Sequence, residues 1–169
     1  MKRIREIVVV LFVFVFVLCD SVIANGMGGS IIIDNAIDGK MYTIYKMLDL
    51  ESFDGDNYSY KISSEWDEFF DSGDGRFYFD VNSNGVAFVG DEQSMDLVAQ
   101  RALAYAKSHE SITKKSQRAV GGIVEFKDLD LGYYLVDSSV GVLCGLTTTN
   151  YVVRVEEKNE KPTLSKYVK

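Results

Sequence analysis

The sequence is poor in proline, cysteine and histidine, and it carries no excess of positive charge. One proline and 14 glycines among 169 residues are typical of regular elements joined by glycine-containing turns. One histidine and two cysteines exclude a zinc site built from histidine and cysteine ligands within the chain. A net charge of −7 argues against nucleic acid as a partner, because a phosphate backbone selects basic surfaces.

What the chain does contain is an ordinary globular composition. Hydrophobic residues make up 47% and charged residues 25%, so the chain is neither disordered nor collagen-like. A length of 169 residues predicts one domain of ordinary size.

The N-terminus has the pattern of an export signal. A basic start, Met1 to Arg5, precedes an apolar run from Ile7 to Leu18, and small residues up to Ala24 offer a cleavage site. We therefore assign residues 1–24 to a signal peptide, with an uncleaved anchor as the alternative. The run is shorter than the roughly 20 residues that span a membrane, so we expect membrane contact only through the signal peptide before cleavage.

Export leaves one cysteine in the mature chain. Cleavage removes Cys19, so Cys144 has no partner for an internal disulfide. Its apolar neighbours favour a small buried hydrophobic residue over a nucleophile, and a Cys–His pair with His109, which lies at a predicted helix end, has little support. We therefore expect no enzyme activity and no cofactor.

Strand patterns dominate the mature chain. β-Branched and aromatic residues predict strands over 30–33, 41–47, 58–62, 76–81, 86–89, 123–126, 133–136 and 151–155. Asp38-Gly39 and Asn84-Gly85 predict hairpin turns, and the polar residues 114–122 predict a connection.

Two helices interrupt the strands. Ser64 is predicted to cap a short helix, with Asp67 at the capping-box distance. Ser94 is predicted to cap a longer helix that ends near Lys107, because apolar residues recur from Met95 to Ala106 at helical spacing. With strands in excess and no sustained βαβ alternation, the sequence predicts a mainly β fold, an antiparallel β-sandwich with two inserted helices.

One segment matches most of a calcium loop. Asp80, Asn82, Asn84 and Gly85 have the spacing of its first positions, and Asp91 stands at the last. However, the flanks are strand-like, and the same residue types make tight turns. We favour a plain hairpin, with calcium binding as the alternative.

The C-terminal third resembles a known family. Leu129 to Ser139 is similar to the signature of Gram-positive surface modules of the CnaB type, and Asp38 to Lys46 is similar to their second-strand pattern. Val153 to Thr163 resembles the N-terminal domain of sortase-assembled pilin backbone proteins, which form isopeptide bonds. The resemblance implies an Ig-like domain over 25–160 and a linker or the first strand of a following domain over 161–169.

The family implies a covalent mechanism. A pilin-class sortase cleaves an LPxTG-type signal and transfers the threonine carbonyl to a lysine of the next subunit, within a Val-x-Val-Tyr-Pro-Lys-Asn motif. Val153, Val155, Lys158 and Asn159 match this motif in register, whereas two glutamates replace its Tyr-Pro. Lys158 is the implied acceptor, and Lys161 and Lys166 are the fallback candidates.

Relatives also carry intramolecular Lys–Asn isopeptide bonds that a buried acid promotes. Asp137 occupies the position of that acid, and Asn159 is a possible amide partner. The first strand, residues 31–35, has no lysine where the family places one. We therefore expect no intramolecular isopeptide bond and interpret Asp137 as an ordinary sheet or turn acid.

These patterns imply a structural module of a pilus or fimbria on a Gram-positive cell surface or cell wall. The implied partners are a pilin-class sortase, other pilin subunits and host surface ligands. The alternative is a non-polymerised adhesin or binding module, which would use the abundant aromatic side chains and calcium.

Overall fold

The computed structural model describes residues 28–55, 57–83, 85–138 and 141–157. The predicted signal peptide and residues 161–169 lie outside the described residues. Within the described part, no helix combines the length and the hydropathy that a membrane crossing requires.

Ten strands, two α-helices and two 3-10 turns are described. The strands are β1 (Gly29–Asp34), β2 (Met41–Asp54), β3 (Asn57–Ile62), β4 (Phe79–Asn82), β5 (Gly85–Phe88), β6 (Lys114–Arg118), β7 (Ile123–Leu129), β8 (Gly132–Asp137), β9 (Val142–Leu146) and β10 (Val152–Glu156). The helices are α1 (Asp67–Asp71) and α2 (Glu92–Ser108), and the 3-10 turns are Ser64–Trp66 and Asp74–Phe77.

The larger sheet is built around β2. Its strand order is β3-β2-β8-β9, and β6 also pairs with β2. The first half of β2 pairs with β6 and the second half pairs with β3. The 14 residues of β2 therefore pair with two strands, one after the other along its length. All pairings in this sheet are antiparallel.

The smaller sheet has the order β10-β1-β7. β1 runs antiparallel to β7 and parallel to β10. β4 and β5 form a separate hairpin. The parallel pair brings the ends of β1 and β10 to the same end of the molecule.

Two apolar clusters cover the two faces of the larger sheet. On β8, Tyr134 and Val136 belong to the cluster between the sheets, whereas Leu135 belongs to the cluster that packs on α1 and α2. This alternation follows from the two-residue period of a strand. The two packed sheets confirm the predicted fold class, a mainly β, Ig-like sandwich with inserted helices.

Several local predictions were wrong. Asp38-Gly39 forms a turn but not a hairpin, because β1 and β2 belong to different sheets. The predicted strand at 76–81 begins only at Phe79, since Arg76 lies in a 3-10 turn. Residues 114–118, predicted as a connection, form β6, and the apolar run 142–146 forms β9, which was not predicted.

Both predicted helix caps were also misplaced. The 3-10 turn that begins at Ser64 has Ser63 at its N-cap position, with no side-chain cap hydrogen bond. The N-cap of α2 is Asp91, whose carboxylate accepts a hydrogen bond from the backbone N–H of Ser94. Ser94 is therefore the third residue of the helix rather than its cap.

Candidate functional site

The two valines of the motif lie on β10, where they pair with β1. Val153 is in register with Ile31 and Val155 with Ile33. Val155 is buried and Val153 is half-buried against the cluster between the sheets. β-Branched side chains suit such a half-buried pleated surface, and they fix the register of the last strand.

Arg154 anchors the exposed face of the same strand. Its guanidinium donates two hydrogen bonds to the carboxylate of Asp34, from Nε at 2.7 Å and from Nη2 at 2.6 Å. The hydrogen bond and the charge of Asp34 raise the pKa of Arg154. This bidentate contact ties β10 to the end of β1.

The residue that follows β10 is a buried acid. The backbone N–H of Glu157 donates to the carbonyl oxygen of Asp34 at 2.9 Å. Its side chain is fully buried, and Oε1 lies 2.9 Å from Nζ of Lys40. The other oxygen, Oε2, is buried without a hydrogen-bond partner among the described residues.

Lys40 is held from two sides. Its ammonium lies next to Glu157 and 4.6 Å from the ring centroid of Tyr42. Burial lowers the pKa of Lys40, but the hydrogen bond and the charge of Glu157 outweigh burial, so the pKa is raised above 10.5. Lys40 and Glu157 therefore form an ion pair at neutral pH.

Lys158 and Asn159 lie outside the described residues. The motif was visible in the sequence, but the pairing of Glu157 with Lys40 was not, because 117 positions separate the two residues.

Asp137 ends β8 and faces α2. Its Oδ1 lies 3.0 Å from Nζ of Lys107, and its side chain is 24% exposed. This ion pair fits the interpretation of Asp137 as an ordinary acid of the sheet. Since Asn159 lies outside the described residues, the absence of an intramolecular isopeptide bond stays a prediction.

The residues of the calcium-like motif occupy two different settings. Asp80 and Asn82 lie exposed on β4, where Nδ2 of Asn82 donates to Oδ2 of Asp80 at 3.3 Å. Asp91 caps α2, with Oδ1 accepting hydrogen bonds from the backbone N–H of Ser94 at 2.8 Å and from its hydroxyl at 2.5 Å.

Asn84 is outside the described residues, and the hairpin prediction is confirmed by the pairing of β4 with β5. In the described parts of the chain, no group of three His, Cys, Asp or Glu side chains is placed to hold a metal ion. Calcium binding was the less favoured alternative, and it stays untested.

Cys144 lies on β9 and is 8% exposed. Burial raises the pKa of its thiol to about 12, so the thiol is protonated at neutral pH. His109 is the C-cap residue of α2, and its Nδ1 lies 2.8 Å from the carbonyl oxygen of Tyr105, on whose ring it stacks. The surroundings of Cys144 are those of a packing residue.

A small apolar cavity lies under the β4–β5 hairpin. Its volume is about 110 Å³, and its lining includes Phe70, Phe79, Met95, Tyr60 and Tyr133. Burial and the neighbouring tyrosines raise the pKa of Tyr60 to about 12. An engineered cavity of about 150 Å³ holds benzene, so this space admits only a very small apolar group.

Comparisons with known proteins give a weak likeness of fold to a solved structure. No protein-family model and no curated protein matches the sequence. Among solved structures, the chain is similar to the full-length major pilin SpaD from Corynebacterium diphtheriae, with 20% identity and a TM-score of 0.37. The match covers 76% of this chain and 29% of the pilin, so the chain spans less than a third of the protein it resembles.

Proposed function

We propose that the chain is a structural module of a cell-surface pilus and that Lys158 accepts an acyl group from a pilin-class sortase. The observation that carries the proposal is the fixed exit of the last strand. β10 is bound to β1 along its length, and Glu157 is held by Asp34 and Lys40. The lysine of the pilin-like motif follows this anchored residue directly.

The chemistry needs a neutral amine at a position that an enzyme can reach. The ε-amine attacks the thioester carbonyl of the acyl-enzyme, an amide bond forms, and the enzyme thiolate leaves. The ammonium must first lose a proton, which a base of the sortase accepts. The chain itself supplies the nucleophile and its position.

The buried ion pair removes one obstacle to this chemistry. Two adjacent acids before the lysine would both favour its protonated, non-nucleophilic form. The carboxylate of Glu157 is committed to Lys40, whereas Glu156 is exposed at the end of β10. One acid rather than two therefore remains free to act on the acceptor amine.

The proposed setting is the surface of a Gram-positive cell. The predicted export signal supports secretion, and the pilin-like motif supports other pilin subunits and the sortase as partners. In this setting the module carries load and presents its acceptor lysine, and the acyl group comes from another subunit.

The test is tandem mass spectrometry of residues 25–169 after incubation with a pilin-class sortase and an LPxTG peptide. We expect a branched peptide joined at Lys158 that is absent in Lys158→Arg and retained in the matched controls Lys161→Arg and Lys166→Arg. Attachment at either control lysine would keep the function and change the site. No attachment by a sortase that is active on a control pilin would favour the non-polymerised adhesin.

A further inference from the structure

We propose that the cavity under the β4–β5 hairpin is a binding site for a small apolar molecule of at most about the size of a benzene ring. The volume of the cavity is about 110 Å³. The inference goes beyond the proposed function and is independent of Lys158, because every residue that carries it lines this cavity or belongs to the hairpin that covers it.

The cavity has a buried floor and a rim that reaches the protein surface. Met47 and Leu48 of β2 and Phe70 of α1 line it and are buried. The seven other described lining residues are half-buried, among them Met95 of α2 and Leu143 of β9. A molecule from solution therefore meets the rim before it reaches the floor.

The β4–β5 hairpin forms the cover of the cavity. Phe79 pairs with Phe88 and Val81 pairs with Val86, so these four side chains share one face of the hairpin. Three of them line the cavity, and the ring of Phe79 lies 5.0 Å from the ring of Phe70.

This cover is the part of the site that can open most readily. Among the described strands, β4 and β5 pair only with each other and with neither larger sheet. A two-stranded hairpin is marginally stable on its own, so side-chain packing holds it over the cavity. Displacement of the hairpin breaks no backbone pairing of the two packed sheets, which gives a ligand a route of entry.

The lining selects a neutral, apolar ligand. All ten described lining residues are apolar or tyrosine, and none carries a charge. Burial of an unpaired charge in such surroundings is costly, and a buried water molecule needs two to four hydrogen-bond partners. The rings of Tyr60 and Tyr133 meet edge to face, with their centroids 4.9 Å apart, and aromatic walls of this kind favour an aromatic ligand.

The volume sets the upper limit on ligand size. Pockets for drug-sized molecules start at roughly 300 Å³, whereas an engineered apolar cavity of about 150 Å³ binds benzene. A ligand of roughly six non-hydrogen atoms is therefore the largest that fits here. Met47 and Met95 line the cavity from opposite elements, and their unbranched, polarisable side chains can adjust its shape around a ring.

The test is a benzene titration of residues 25–169, followed by NMR of the methionine methyl groups. The signals of Met47 and Met95 should shift together, with a Kd of about 1 mM. Met41 is 48% exposed and does not line the cavity, so its signal is the internal reference. At ten times the Kd, the midpoint of thermal unfolding should rise by about 5 °C.

Two variants of the hairpin establish the site. Val86→Phe places a larger side chain in the cavity and should weaken benzene binding at least tenfold. Val81→Phe is the matched control, because Val81 pairs with Val86 on the same face but does not line the cavity. Thermal unfolding shows whether each variant is folded, and Leu143→Phe replaces Val86→Phe if the latter is not.

The apolar group can be a free molecule or a side chain of a partner protein, and a second titration distinguishes the two sources. N-acetyl-phenylalanine amide carries the same ring on a peptide backbone. Shifts of the Met47 and Met95 signals with both compounds would identify a site for a partner's side chain. Shifts with benzene alone would identify a site for free small molecules, and this is the result we expect, because the hairpin covers the cavity.

Two results would overturn the inference. One is the absence of any shift of the Met47 and Met95 signals up to the solubility limit of benzene. The other is equal affinity for benzene in the wild type and in a folded Val86→Phe variant. Neither result involves the sortase reaction, so the proposed function would stand, and a domain that accepts no acyl group would conversely leave the cavity site intact.

Discussion

At the residue scale, the polar side chains with the clearest structural role are the buried ones. Glu157 lies buried between the sheet and Lys40, and it holds the chain immediately before the proposed acceptor. Cys144 is buried without any charge nearby to lower its pKa. Both residues stabilise the fold through burial.

Replacing Lys40 should destabilise the domain. Lys40→Met leaves a buried carboxylate without its cation, which costs about 3–5 kcal/mol for a fully buried pair. Because the side chain of Lys40 is 33% exposed, solvent reduces the expected loss to about 1–3 kcal/mol. Urea denaturation measures it, with Lys40→Arg as the charge-preserving control and Glu157→Gln completing a double-mutant cycle.

The stability lost in Lys40→Met should not depend on pH in the physiological range. The fold raises the pKa of Lys40 above its ordinary 10.5. The stabilisation is therefore fully present below the unfolded pKa and is lost only as pH rises through the folded value. Equal differences between wild type and Lys40→Met at pH 7 and pH 9 are expected, and a difference that fades by pH 9 would contradict the assignment.

Native Cys144 should resist alkylation. A thiol with a pKa of about 12 that is 8% exposed offers almost no thiolate to iodoacetamide at pH 8. We expect modification at the rate of unfolding in buffer and within minutes in 6 M guanidinium, followed by mass spectrometry of residues 25–169. Rapid modification of the folded domain would restore the nucleophile interpretation.

At the scale of elements, one residue fixes where helix α2 begins, and another allows strand β8 to lie close to β2. Asp91 begins the 17-residue helix α2 by accepting hydrogen bonds from Ser94. Gly132 begins β8 with a φ of +147°, where β8 passes close to β2. The first position needs a side chain that accepts a hydrogen bond, and the second needs a residue without a Cβ atom.

Loss of the helix cap should have a moderate effect. Asp91→Ala removes the acceptor for the N–H of Ser94, and such caps contribute about 1 kcal/mol. Chemical denaturation should show this loss, whereas Gln100→Ala, an exposed substitution within the same helix, should be neutral within about 0.5 kcal/mol. Equal effects of the two substitutions would argue against the cap.

Gly132→Ala should be far more damaging. A Cβ atom at this position would lie 2.1 Å from the carbonyl oxygen of Leu48, which is a backbone atom rather than the end of a flexible side chain. Gly39→Ala is the matched control, because Gly39 also has a positive φ, +80°, but nothing lies within 4 Å of its Cβ position.

We expect Gly39→Ala to cost about 1–2 kcal/mol for the left-handed conformation alone. We expect Gly132→Ala to cost several times more, or to prevent folding, as measured by thermal unfolding. A similar midpoint for the two variants would show that β8 can shift away from β2.

At the scale of the whole molecule, the last strand completes the smaller sheet. β10 pairs with β1 in parallel and adds Val155 to the cluster between the sheets. β1 would otherwise be an edge strand with one row of unpaired backbone groups. The segment that ends at the proposed acceptor is thus part of the core rather than an appendage.

A chain that ends before β10 should therefore lose cooperative folding. We expect residues 25–157 to give a single thermal transition by circular dichroism, and residues 25–150 to give a broad transition or none. The same midpoint for both chains would mean that β10 docks on a domain that is already complete. In that case the pairing of β10 with β1 would contribute little to stability and would not fix the position of Glu157.

Local patterns predicted the elements in which burial alternates along the chain. α2 shows helical spacing of its apolar residues, and β8 alternates between the two clusters, so both were found. β6, with the sequence Lys-Lys-Ser-Gln-Arg, is exposed at every position and carries no such pattern. Only its partner β2 makes it a strand.

The sequence by itself determined the mainly β composition, the hairpin of β4 and β5, and the position of Lys158 within a pilin-like motif. These features are local, because each depends on residues a few positions apart. The tertiary structure decided the pairing of Lys40 with Glu157 and the hydrogen bonds that join the β1–β2 turn to the β6–β7 turn. Such contacts join residues about 80 or more positions apart, and they exist only because the packing of two sheets brings distant strand ends together.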